Sequence, residues 1–571
     1  MRSRRRIRGL FAFAATLSLL PVGGGERVGA QAPPVRAERQ MVAAANPLAA
    51  ETGLRLLRAG GSALDAAIAT QMVLNLVEPQ SSGIGGGGFL LHFDAATGEV
   101  AAYDGRETAP AEATPDLFLK PDGEPMAFWD AVVGGRSVGV PGLLRMLELA
   151  HRAHGRLPWA RLFEPAIELA EAGFPVSPRL HALIAADKHL KAFPATAAYF
   201  HDAAGDPPAV GSRLKNPAFA ATLRRIAREG ADAFYTGPIA AEIVAAVRGA
   251  ARNPGKMSLA DLAGYRAKRR APVCAPYRSS RVCGMPPPTS GGVAVLQILG
   301  ILARFDLAAL APNSLEAVHL IAEASRLAFA DRNRFLGDPD FVDVPLARLL
   351  DPDYLRRRAG LISPTASLGT AAPGLPAQNG AMPAQPDPPS TTHLVVVDAR
   401  GNAVSLTASI ESAFGSRLTA AGFLLNNELT DFSFRPVVEG RAVANRVEPG
   451  KRPRSSMAPS LVLDRQGRLV MAVGSPGGSR IIGYVVKALV ASLDWGLDMQ
   501  AAIGLPNAVN RNGATELEAG TALAALKARL EALGHEVRVR ALTSGLHGIA
   551  VSAGGLVGGA DPRREGVVRG D

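Results

Sequence analysis

A run of prolines divides this chain into two unlike halves. Between residues 362 and 390 the sequence contains Ala-Ala-Pro-Gly-Leu-Pro, then Gln-Asn-Gly, then Gln-Pro-Asp-Pro-Pro-Ser. Pro373, Pro376, Pro383, Pro386, Pro388 and Pro389 crowd it, and large apolar residues are few. Such a stretch cannot repay the entropy of ordering, so the expectation is an exposed, flexible loop or a plain linker. Ahead of it, from about Gln40 to Leu361, helical periodicity dominates. Leu54, Leu57, Leu64, Ala67, Ile68, Met72 and Leu76 recur on one helical pattern, interrupted by Gly60-Gly61. Asn313 with Glu316 reads as a capping box opening a helix through Leu320, Ala324, Leu327 and Ala328.

Behind the break the character turns to β. Residues 393–397 and 403–409 predict two strands around the turn Asp398-Ala-Arg-Gly-Asn402. Residues 460–463 and 468–473 repeat the pattern around Asp464-Arg-Gln-Gly467. A late helix carries Leu523, Leu526, Leu530 and Leu533 up to Gly534, and residues 548–552 read as another strand. The mixture predicts an α+β arrangement of sheets between helix layers.

With 571 residues the chain can bury a large core without staples. Residues 1–30 read as a secretory signal: Arg2, Arg4, Arg5, Arg6 and Arg8, an apolar run from Leu10 to Leu20, and small residues at Val28-Gly29-Ala30. A membrane anchor is the other reading of that segment. The formal charge of +11 includes six Arg and one Glu there, so removal leaves +6 and no nucleic-acid-binding stripe. The expected location is periplasmic or secreted. The two cysteines, Cys274 and Cys283, would face each other across a two-residue turn at Arg278-Ser279, either as a disulfide or as two buried thiols.

The sharpest chemical feature is Ser390-Thr391-Thr392-His393, where loop meets strand. A threonine hydroxyl needs an adjacent base to act as a nucleophile. Its own α-amine, with an unperturbed pKa of ~8, can be that base once the preceding peptide bond is cut. The segment from Thr391 to Thr407 resembles the start of the small subunit of γ-glutamyltransferases, which are N-terminal-nucleophile hydrolases. Further matches are Phe414-Gly415-Ser416, Gly422-Phe-Leu-Leu-Asn-Asn427, Asp431-Phe432-Ser433, Lys451-Arg-Pro-Arg-Ser455-Ser456-Met457, Gly474-Ser-Pro-Gly477-Gly478-Ser479 and Asp561-Pro562-Arg563. Gly83–Phe89, Asp104–Glu107, Gly139–Gly142 and Pro286–Gly292 match in the first half.

The resemblance implies a four-layer αββα sandwich made as a precursor and cut between Ser390 and Thr391. The large subunit would be 31–390 and the small one 391–571, held as a heterodimer. Thr391 would take a γ-glutamyl group from glutathione or a related amide and pass it to water or an amine. Arg106, Ser455 and Ser456 would bind the α-carboxylate. Glu428 and Asp431 would bind the ammonium, and Gly477 and Gly478 would form the oxyanion hole. Thr407 and Ser409 face one side of a strand, and the resemblance gives Ser409 a hydrogen bond to the nucleophile. No metal or organic cofactor is implied.

Two departures bear on the substrate. Glu411 stands where well-studied relatives commonly carry Asn, and residues 434–450 lack the tyrosine of their lid. A glutaryl or cephalosporin-type acylase is one alternative, with Glu411 as the discriminating residue because a glutaryl group has no ammonium to satisfy it, and a periplasmic binding protein that has lost processing is another. Three other signals carry less. Gly135-Arg-Ser137-Val-Gly139 fits a nucleophile elbow but runs into Val140-Pro141-Gly142 rather than a helix. Gly85–Gly88 lacks the Lys of a phosphate loop. His151 and His154 lack a third zinc ligand and read as surface residues.

Overall fold

The computed structural model describes residues 33–571 apart from 377, 378, 384, 387 and 389. The secretory-signal expectation for 1–30 lies outside the described residues. Among those described, no helix is long and apolar enough to cross a membrane.

Fourteen strands form two antiparallel seven-stranded sheets. In chain order they are β1 (Val35–Ala37), β2 (Met41–Ala44), β3 (Gly87–Phe93), β4 (Val100–Gly105), β5 (Lys268–Arg270), β6 (Val273–Tyr277) and β7 (Ser280–Gly284). There follow β8 (Thr392–Val397), β9 (Ala403–Ser409), β10 (Ser460–Leu463), β11 (Leu469–Gly474), β12 (His547–Ser552), β13 (Gly555–Ala560) and β14 (Val567–Gly570). One sheet runs β14-β2-β8-β9-β3-β4-β5, the other β1-β13-β12-β11-β10-β7-β6.

Side-chain alternation shows how the layers stack. In β8, Leu394 and Val396 join one hydrophobic core, while Val395 and Val397 join a second. Val42 and Ala44 of β2 split from Met41 and Ala43 in the same way. The first core packs that sheet against α1 (Pro47–Arg58) and α2 (Ala63–Val77). The second fills the space to the other sheet and to α3 (Gly291–Leu302), α4 (Leu315–Phe335) and α5 (Ile481–Leu493). The result is an αββα sandwich. Strands buried on both faces read as continuous apolar runs, which is why Leu394-Val-Val-Val397 is so plain in the sequence.

Most predicted elements stand. The break at Gly60-Gly61 separates α1 from α2, and α2 is buried at all 15 residues behind a Ser62/Asp65 capping box. Cys274 and Cys283 are cross-strand partners on β6 and β7, with Cα atoms 4.1 Å apart, and form a disulfide.

Three expectations are corrected. Ser314, not Asn313, caps α4, because its side chain accepts the Ala317 N–H. His151 and His154 are half-buried and not free surface residues: His154 stacks on buried His92 at 3.8 Å, and His151 reaches the Leu157 carbonyl. The proline-rich segment is not simply a free loop. Buried carboxylates of α4 satisfy its backbone: Glu323 accepts the Leu368 N–H and Asp331 the Gly374 N–H, both at 2.8 Å. Further on, Met382 N–H donates to the Asn333 carbonyl, and the Gln385 amide bonds Phe432 and Phe434 backbone.

Several histidines are buried and held neutral. Desolvation pushes His92 down to about 3, and His535 and His547 down to about 4. Between pH 6.5 and 4 the unfolded chain therefore binds protons that the folded chain refuses, and stability falls as pH falls. The melting temperature should drop through this window, and His547→Asn should flatten part of the slope. A melting temperature constant from pH 6.5 to 4.5 would contradict the assignment.

Candidate active site

The register of β8 on β9 pairs Thr392 with Ala408, which sets Thr391 opposite Ser409 at the strand ends. Their hydroxyls lie 3.1 Å apart. Thr391 has φ 82°, a left-handed conformation that a β-branched residue rarely adopts. Its carbonyl accepts Arg564 Nη1 at 3.1 Å. The preceding carbonyl, of Ser390, accepts the Gly477 N–H at 3.1 Å. Ser390 is 2 % and Thr391 5 % exposed, so the bond between them is out of reach of an external protease.

Two glycines are required by contact. Gly86 lies under β9, where a Cβ would be 2.1 Å from the Ser409 carbonyl oxygen. Gly477 has φ 135°, and a Cβ there would meet the Tyr484 ring at 2.7 Å. Gly478 follows at φ 62° in the turn that leads into α5. Thr407 shares the face of Ser409 but spends its hydroxyl on His393 Nδ1, at 2.8 Å. It braces the strand beneath the threonine.

A cavity of about 390 Å³ opens beside Thr391, lined by Ser409, Glu411, Glu428, Asp431, Ser455, Ser456 and Gly478. Asn427 Nδ2 donates to Glu411 at 2.6 Å. Ser456 accepts Arg332 Nη2 at 2.6 Å, and Ser455 Oγ accepts the Met457 N–H.

Arg106 is fully buried and does not line this cavity. Its two terminal nitrogens pair with Glu428 and Asp431, and its Nε donates to the Pro453 carbonyl. A third carboxyl, Glu107, lies 3.8 Å from Arg106, fully buried and with neither oxygen hydrogen-bonded. Burial, then the neighbouring Glu428, push Glu107 well above the carboxylate range. Burial likewise pushes Glu428 up to about 7, against the pull of Arg106. One cation thus sits among three acids, and the cluster keeps a proton at neutral pH.

Several residues of the site carried no signal in the sequence. Arg332 of α4 and Arg511 and Asn512 of one turn line the cavity, beside Arg454 of the Lys451–Met457 motif. Met382, Pro383, Gln385, Pro386 and Pro388, from the segment before the threonine, line it as well. Arg564 is masked in the sequence by the adjoining Asp561-Pro562-Arg563 motif. The elbow serine, Ser137, is buried with its hydroxyl on the Val132 carbonyl at 2.6 Å. One group among the described residues has metal-ligand types in reach of each other: His319, Glu323 and His535. Protein partners already engage it. His319 Nδ1 lies 2.8 Å from His535 Nε2, and Glu323 accepts from Arg326, Ser367 and Leu368. It braces the loop that leads to the cavity.

The sequence profile described as Gamma-glutamyltranspeptidase matches residues 49–570. The glutathione hydrolase proenzyme of Bacillus subtilis (strain 168) is 39% identical over 477 residues, covering 82% of this chain and 80% of that protein. The acylase ACY 1 proenzyme of Pseudomonas sp. (strain SE83) is 38% identical over 536 residues, 92% of each chain. Among solved structures, cephalosporin acylase from Bacillus halodurans aligns with a TM-score of 0.83 at 28% identity, over 97% of this chain and 99% of that one.

The acid cluster makes a stability test. Glu107→Gln should change unfolding free energy by less than about 1 kcal/mol, because the native side chain is already neutral. Glu428→Ala should cost roughly 3 kcal/mol by leaving Arg106 short of a partner. Denaturant titration checks both, and equal costs would contradict the proton assignment.

Proposed function

Because the chain belongs to the gamma-glutamyltranspeptidase family, we propose that it is a self-processing γ-glutamyl hydrolase and transpeptidase with Thr391 as the nucleophile in both reactions. The observation that carries this reading is the clamp on the Ser390–Thr391 bond. The carbonyl to be attacked already rests on the Gly477 N–H, and the attacking hydroxyl already rests on Ser409. In processing, Thr391 Oγ attacks the Ser390 carbonyl carbon, and the oxyanion develops on Gly477 N–H. The C–N bond breaks, the nitrogen takes a proton, and the chain passes through an ester. Water hydrolyses that ester, leaving a carboxylate on Ser390 and a free α-amine on Thr391.

The same parts then serve an incoming amide. The freed amine takes the proton of Thr391 Oγ as the hydroxyl attacks the γ-carbonyl. Gly477 and Gly478 stabilise the oxyanion, and the leaving amine departs protonated. Water or an amine acceptor releases the acyl group from the threonine ester. An amino-acid head group is a zwitterion, and it enters by exchange with the buried ion pair. Its ammonium takes the place of Arg106 on Glu428 and Asp431, and its carboxylate takes Arg106, Ser455 and Ser456. Glu411 adds a further carboxylate, which favours donors carrying an ammonium over glutaryl donors lacking one. Export, with removal of residues 1–30, accords with the disulfide.

N-terminal sequencing and intact mass test the first step. Two chains are expected, the smaller beginning at Thr391, while Thr391→Ala should remain one inactive chain. A single uncut chain in the purified wild-type protein would overturn the reading.

The pH profile tests the donor. Glu428, raised to about 7, is charged above that pH and neutral below it. The ratio of kcat/KM for γ-glutamyl-p-nitroanilide over glutaryl-p-nitroanilide should therefore rise roughly tenfold from pH 6 to 8. A glutaryl donor preferred at pH 8 would favour the acylase alternative.

A further inference from the structure

The threonine clamp includes a cation that the reaction as described does not use. Arg564 is 8 % exposed, with Nη1 on the Thr391 carbonyl at 3.1 Å and Nη2 on the Thr543 carbonyl at 3.4 Å. Its position is built in. Asp561 ties down the turn just before it, accepting the Ser544 hydroxyl at 2.5 Å and the Arg563 N–H at 3.0 Å. Gly545 leaves a slot: a Cβ there would lie 2.8 Å from Arg564 Cδ and 2.6 Å from Pro476.

No carboxylate of the described residues lies within 4 Å of this guanidinium. The charged and titratable groups around it are Glu78 at the end of α2, Arg179, Asp561, Tyr484 of α5 and His547 of β12. Glu78 is engaged elsewhere, accepting the Thr392 hydroxyl at 3.0 Å and lying 3.8 Å from Arg179. Asp561 is engaged by Arg563 at 3.0 Å. His547 is neutral, and burial raises Tyr484 so that it stays protonated. Burial and Arg179 push Arg564 itself down to about 10, which leaves it charged at neutral pH.

We propose that Arg564 is a positioning residue whose charge, fixed on the Thr391 carbonyl, keeps the α-amine of Thr391 neutral so that it acts as the base. The inference rests on the reading that the Ser390–Thr391 bond is cut. The amine and carbonyl belong to one residue, so the guanidinium lies within roughly 6 Å of the amine. A like charge at that distance disfavours the ammonium form, against Glu411, Glu428 and Asp431, which share the cavity with Thr391 and favour it. The amine, ordinarily near ~8, should titrate about one unit lower, near neutrality. The same contact holds the threonine main chain while its N-terminus is free.

The test is the pH dependence of kcat/KM in the mature enzyme, for wild type, Arg564→Lys and Arg564→Gln. The acid limb should move up by about one unit in Arg564→Gln, with roughly fivefold loss at pH 7 that disappears at pH 9. Arg564→Lys, which keeps a charge, should leave the limb near its wild-type place. A uniform loss at every pH with an unmoved limb in Arg564→Gln would mean a structural role and overturn the proposal. Should Arg564→Gln remain uncut, labelling of the wild-type Thr391 amine with fluorodinitrobenzene across pH decides. A midpoint near 7 supports the proposal and one near 8 overturns it. Wild-type protein found uncut would instead sink the functional reading on which this rests.

Discussion

The site depends on one backbone torsion. Thr391 is held at φ 82° because three partners fix three different atoms: Gly477 the carbonyl before it, Ser409 its hydroxyl, and Arg564 its own carbonyl. A β-branched residue in this region costs of order 1–3 kcal/mol, and it persists only where surroundings over-determine it. Here the surroundings are the middle of a seven-stranded sheet with apolar cores on both faces. The strain has a direction. The torsion φ is defined through the preceding carbonyl carbon, so cutting the Ser390–Thr391 bond abolishes it. The sheet that imposes the conformation would thereby favour a cut at this bond.

The second constraint is charge. Arg106, Glu107, Glu428 and Asp431 form a cluster sealed from water, except for the exposed edge of Asp431. Three acids around one cation cannot all ionise, so Glu107 carries a proton and Glu428 titrates near neutrality. An arrangement of this kind matches a zwitterion well, because both of its charges find partners already desolvated. It matches a plain anion poorly, since an anion releases Arg106 but leaves Glu428 and Asp431 without a cation. Glu411, on the cavity wall, strengthens that asymmetry.

What was legible in the sequence follows from burial. β8 and β9 are central strands with both faces covered, so their composition admits little else. The α1–α2 break is written in Gly60-Gly61 and a capping box. The cysteine pair was readable because a two-residue turn leaves one register. The proline-rich segment misled because its order comes from elsewhere: Glu323, Asp331 and Asn333 on α4 supply the partners its backbone needs. Arg332 and Arg564 were illegible for a related reason. Each reaches the site from a distant part of the chain, and nothing local distinguishes them from surface arginines. Arg106 was expected to clamp a carboxylate, and the structure instead places it behind the cavity wall, paired with two acids. Its burial could not be foreseen, because it depends on Glu428 and Asp431 lying on its two nitrogens.

The topology also governs what a cut before Thr391 can do. β8 lies between β2 and β9, and β9 lies between β8 and β3. The strands that follow Thr391 are thus hydrogen-bonded on both sides to strands that precede it. In the other sheet β1 pairs with β13 and β7 with β10, joining the two parts of the chain twice more. Separating them would expose backbone in the middle of both sheets and open both cores, at a cost far beyond one peptide bond's contribution to chain connectivity. A cut before Thr391 and the integrity of the fold would therefore be independent. The proposed cleavage would free an amine within a framework that does not need the broken bond, and the neighbours that align Thr391 would remain in place around the new N-terminus.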